Sequence, residues 1–112
     1  MPKKRVILEL GSGNDLHGSN YTKAALRPVQ DALHHSSLAF LRSLKLDKKV
    51  DVEVTIGVQR PEQVDLDEVK KSLPVGNVTV TAVKGGLDVA DPENNDPAII
   101  ASAAIAVRID VA

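Results

Sequence analysis

At 112 residues with 43% hydrophobic side chains, the chain has the size of one domain, 1–112, and enough apolar material to close a core. Lys and Arg total 14 against 15 Asp and Glu, a formal charge of -1, which argues against a nucleic-acid partner. Cysteine is absent, excluding disulfides and thiolate chemistry, and no apolar run approaches the roughly 20 residues that span a bilayer.

The short start before Glu9 does not read as a signal peptide, so the expected location is cytoplasmic, with no membrane partner. Aromatic residues are only 2% of the chain, so the core has to be built from Val, Ile, Leu and Ala. Small apolar side chains bury little area each, and a homo-oligomer is the expected state.

In chain order, residues 5–10 predict a first strand that Gly11 ends. Residues 11–21, with three glycines, two asparagines and two serines, predict a loop of the length that carries function. Thr22 suits a helix N-cap, and Leu26, Val29, Leu33, Phe40 and Leu44 recur at helical spacing behind it, with Pro28 as an interruption. Asp51–Val58 alternates as a strand, Val52, Val54, Ile56 and Val58 sharing one face. Asp65 with Glu68 predicts a capping box for a short helix whose apolar side is Leu66, Val69 and Leu73, stopped by Pro74 and Gly76. Val78–Lys84 reads as a third strand ended by Gly85-Gly86, the acidic stretch Asp91–Pro97 as a solvated loop, and Ser102–Val111 as the last strand.

The expected fold is α/β, an α+β two-layer sandwich of β-α-β-α-β-β order with a four-stranded mixed sheet and helices on one face. That order resembles the Bacillus chorismate mutase-like fold, in which active sites lie between neighbouring subunits. The open face would carry Glu53, Thr55, Thr79, Thr81 and Ala106, suited to water or to a partner subunit.

The chemically informative segment is Gly11-Ser12-Gly13-Asn14-Asp15-Leu16-His17-Gly18. Its spacing does not fit a dinucleotide fingerprint, which needs its third glycine at the opening of a helix, and no Gly-Lys-Ser/Thr follows for a phosphate loop. No cofactor is assigned. In an extended backbone Asp15 and His17 share a side, so Asp15 can orient His17 as a proton carrier. Lys23 and Arg27, four apart at the start of the helix, can position an anion. Gly11, Gly13, Asn14, Gly18, Lys23 and Arg27 are thus the candidate binding set for a small anionic metabolite, with Asp15 and His17 as the candidate catalytic pair. A metal would need a further ligand, for which Glu9, His34 and His35 are nearest in sequence, and none is assigned. The competing structural reading makes Asp15 an Asx-turn acceptor and His17 a cap, with glycines present only for backbone freedom.

The same eight residues resemble the signature G-x-G-x-D-x-H-G of a family of small conserved bacterial and plant proteins of uncharacterised function. The resemblance extends to Thr22-Lys23-Ala24-Ala25 with Arg27, Gly57-Val58, Pro61-Glu62, Val64-Asp65, Leu73-Pro74-Val75-Gly76 and Gly85-Gly86-Leu87. Val75 departs from it, where an aromatic is expected. The resemblance implies that the loop matters and names no reaction. Two functions stay open: a small-molecule enzyme or binding protein working at a subunit interface, and a non-catalytic assembly or interaction module.

Overall fold

The computed structural model describes residues 3–15, 20–34, 50–73, 76–90, 93 and 97–110. Leu16, His17, Gly18, His35, Phe40, Leu44, Val75, Asp91 and Asp96 lie outside them. The elements are β1 (Lys3–Asp15), α1 (Tyr21–His34), β2 (Val50–Val58), a 3-10 turn (Pro61–Gln63), α2 (Leu66–Lys71), β3 (Asn77–Lys84), β4 (Leu87–Val89) and β5 (Ala98–Asp110).

Five strands form one sheet in the order β1-β5-β2-β3, with β4 pairing β5 off that path. The four-stranded expectation is therefore corrected. Leu87–Val89 looked like loop because three residues after a Gly-Gly pair carry no measurable alternation. Pairing decides them: Leu87 lies opposite Ile100 and Val89 opposite Ala98, beyond the point where β2 leaves β5 at Gly57–Ser102. Gly86, at a φ of 61°, makes the turn that delivers β4 there. β5 runs antiparallel to β1 and β2, whereas β2 and β3 are parallel and joined through α2.

Both helices pack on one face of the sheet, α1 across β1, β5 and β2, and α2 against β3. β2 buries Val50, Val52, Val54, Ile56 and Val58, and β5 buries Ile99, Ala101, Ala103, Ile105 and Val107 on the same side. Ala24, Ala25, Val29 and Ala32 of α1 and Val69 of α2 close the layer. Each fully buried Val or Ile contributes about 1.5–3 kcal/mol, whereas an exposed pair such as Arg108–Glu53, at 2.9 Å, adds about 0–1 kcal/mol. Apolar burial holds this fold.

Two boundaries differ from the sequence reading for identifiable reasons, and a third agrees with it. β1 runs through Gly11 and Gly13 to Asp15, since β5 pairs with it residue by residue as far as Ile99–Asp15. Asn20, not Thr22, caps α1: its Oδ1 accepts the Lys23 N–H at 3.0 Å, and its carbonyl accepts the Ala24 N–H. Asp65 caps α2 by accepting the Glu68 N–H at 3.2 Å, as the spacing predicts. The Asp65 N–H instead donates to the Thr22 hydroxyl at 2.9 Å, so Thr22 fastens α1 to the start of α2.

Candidate functional site

The six described members of the candidate set, Gly11, Gly13, Asn14, Asp15, Lys23 and Arg27, meet along the seam between β1 and α1. A Cβ placed on Gly11 would stand 2.1 Å from the Pro28 carbonyl oxygen and 2.7 Å from the Ala32 nitrogen. One on Gly13 would stand 2.5 Å from the Arg27 Cβ and 2.8 Å from the Pro28 ring. The two glycines therefore let strand and helix touch backbone to backbone. They also account for Pro28 inside α1, whose buried ring lies against the bare backbone of Gly13.

At the end of β1 stands Asp15, a carboxylate only 2% exposed. One of its oxygens accepts the Asn20 N–H at 3.0 Å, and the other lies 3.7 Å from the Lys23 ammonium. These donors answer the charge that burial would otherwise penalise. Asp15, the last strand residue, is thereby tied to the helix cap Asn20. His17 and Gly18 lie outside the described residues.

Further along the seam, Arg27 donates from its guanidinium to the Asn14 carbonyl, and Asp31 accepts the Ser12 N–H at 3.1 Å. β1 is an edge strand, and Arg27 and Asp31, one helical turn apart, cover the outer backbone groups of its last residues. Lys23 and Arg27 share a face as expected, and that face is turned to β1.

A second link joins α1 to β4: the buried Tyr21 hydroxyl donates to the Asp88 carboxylate. Burial, then this bond and the negative charge of Asp88, raise the Tyr21 pKa above its ordinary 10.0, with Arg60 opposing. Tyr21, Thr22, Asp31 and Asp88 were invisible as site residues in sequence, because each acts through a partner distant along the chain. Of the proposed metal ligands, Glu9 lies on the α1 side of β1, and the side chains of His34 and His35 are not among those described. No group of three His, Cys, Asp or Glu residues stands within reach of one ion among the described residues.

The sheet's other face carries no helix among the described residues. Exposed there are Leu8 and Leu10 of β1, Val83 of β3, Leu87 and Val89 of β4 and Ile100 of β5, Leu10 being 67% exposed. Beside Leu10 is a shallow depression of about 400 Å³, floored by Thr55, Gly57, Ser102 and Ala104 and walled by Val83 and Lys84. The opposite end of this face is polar, with Arg108 beside Glu53.

A family model described as conserved hypothetical protein (Lin0512_fam) matches residues 5–107. The crystal structure of an FtsZ-like protein of unknown function from Nostoc punctiforme is 38% identical, with a TM-score of 0.83 and 99% of each chain covered. No curated protein matches. The similarity to an FtsZ-like structure overturns the chorismate mutase-like expectation. That expectation rested on element order, which does not fix which strands become neighbours. No described helix is long and apolar enough to cross a membrane.

Proposed function

Because the chain belongs to the conserved hypothetical protein family Lin0512_fam, whose description carries no reaction, we propose from the chain's own geometry that it is a non-catalytic assembly module. It associates with a second copy of itself through the sheet face that carries no helix among the described residues. The observation that carries this reading is the exposed apolar end of that face, Leu8, Leu10, Val83, Leu87, Val89 and Ile100, beside a depression floored by small side chains. Knob and hollow lie on one surface, so a two-fold axis lets Leu10 of each copy enter the other's depression. Four strands at ~4.8 Å spacing and some 30–40 Å long offer roughly 600–700 Å² per copy, just under the ~800 Å² of a standard interface. Association is accordingly concentration-dependent. The 38% identical FtsZ-like protein supports the reading at the level of fold and lends it no substrate.

Light scattering across a concentration series tests it. The parent is expected to gain mass with concentration, and Leu10→Asp and Leu87→Asp to gain less at every concentration while keeping their circular dichroism. Unchanged mass profiles in both variants would remove the face from the contact.

Catalysis by Asp15 and His17 on a small anionic metabolite is the subordinate reading. It is favoured by the Asp15–Lys23 pair standing two residues before His17. Against it, Lys23 and Arg27 are already engaged with β1. A thermal-shift screen of anionic metabolites that gives a hit with the parent and none with His17→Gln would reinstate it.

A further inference from the structure

The two edges of the sheet are treated differently. The β1 edge begins with Lys3, Lys4 and Arg5 and is covered near its end by Arg27 and Asp31, devices that keep another strand away. Among the described residues the β3 edge has neither. Its sequence, Asn77-Val78-Thr79-Val80-Thr81-Ala82-Val83-Lys84, is mostly β-branched, holds no proline, and has one charge at its far end. Among the described residues β3 pairs on one side only, with β2.

Which backbone groups are free follows from the parallel ladder. Gly85, just past β3, donates its N–H to the Val58 carbonyl at 2.9 Å, and β2 pairs Gly57 with Val83 and Val58 with Lys84. Odd-numbered residues therefore bond toward β2, and Val78, Val80, Ala82 and Lys84 turn their N–H and C=O outward.

We propose that β3 is a second association surface, pairing antiparallel with β3 of another copy to make one continuous sheet. A two-fold axis at Thr81 sets Val80 opposite the second copy's Ala82 and Val78 opposite its Lys84, each pair exchanging two hydrogen bonds. On the open face Thr81 meets Thr81, and Thr79 meets Val83, combinations that favour pairing. Charge selects this orientation: antiparallel pairing separates the two Lys84 ammonium groups to opposite ends, where parallel pairing sets them side by side. A second copy is thus a matched occupant, and the contact is independent of the one on the sheet face. With both contacts made, association continues beyond a dimer.

Ala82→Pro tests the edge. It removes an outward N–H, leaves the bonds to β2, and touches nothing on the open face. In the Leu10→Asp background, which lacks the face contact, the chain is expected to dimerise still, and adding Ala82→Pro to weaken that dimer by about tenfold or more. A Leu10→Asp chain that stays monomeric at the highest concentration overturns the edge contact while leaving the face contact standing. Hydrogen exchange on the unsubstituted protein needs no variant to fold. The Val78, Val80 and Ala82 amides are expected to be protected in concentrated samples and to exchange faster on dilution. Fast exchange of these three at every concentration, with Thr79 and Thr81 protected, would likewise overturn it.

Discussion

Asp15 shows how a residue that reads as catalytic in sequence acquires a structural task. At 2% exposure its carboxylate needs donors, and the Asn20 N–H and Lys23 ammonium supply them. Asp15→Ala is expected to cost about 1–3 kcal/mol in urea unfolding, because the Asn20 N–H loses its acceptor, whereas Asp15→Asn keeps an acceptor and loses less. Tyr21 makes a parallel case with a pH signature. Its pKa is raised in the folded state, so its contribution is complete below about pH 10 and is lost as the pH climbs through the folded value. Tyr21→Phe is expected to lower the unfolding free energy by about 1 kcal/mol near neutrality, and to lose less stability than the parent as the pH rises past about 10. Asp15 was conspicuous in sequence and Tyr21 was not, and their partners stand 5 and 67 positions away.

Elements with strong local periodicity were legible. The alternation of β2 and the Asp65 cap of α2 appear where the spacing places them, because a strand's face and a helix's first turn are set by residues within a few positions. β1 was legible only over residues 5–10, since Gly11 and Gly13 carry the local signature of a loop. They serve instead as the floor on which α1 rests, and one substitution separates the two views. In a loop, Gly→Ala at a permissive backbone stabilises by about 0.4–1 kcal/mol. Here the new methyl would meet the Pro28 carbonyl at 2.1 Å, so Gly11→Ala is expected to destabilise by about 1–3 kcal/mol through overpacking. Thermal denaturation gives the sign directly. The second half of the expected long helix, from His35 to Leu44, lies outside the described residues.

For the whole molecule, the composition requires that a core poor in aromatics be closed by many small side chains, and the layer of Val, Ile and Ala between sheet and helices is built that way. It leaves Leu8, Leu10, Leu87 and Ile100 outside, because they sit on the strands' other face and no helix covers that face among the described residues. If a second copy covers them, binding to the folded state alone raises stability by mass action. The melting temperature of the parent is then expected to rise with protein concentration, and that of Leu10→Asp to rise less. A semi-polar open face was readable from Glu53, Thr55, Thr79, Thr81 and Ala106; its apolar end was not, since it assembles from β1, β3, β4 and β5. What the sequence by itself determined is what adjacent residues impose on one another: the β2 alternation and the α2 cap. Only the tertiary structure decided that Gly11–Asp15 of the signature segment are strand, that Gly11 and Gly13 admit a helix, that Asp15 is answered by that helix's first turn, and that α1 covers the end of the β1 edge. Those outcomes depend on backbone and charge brought together from distant positions, and no local pattern encodes which distant group will arrive.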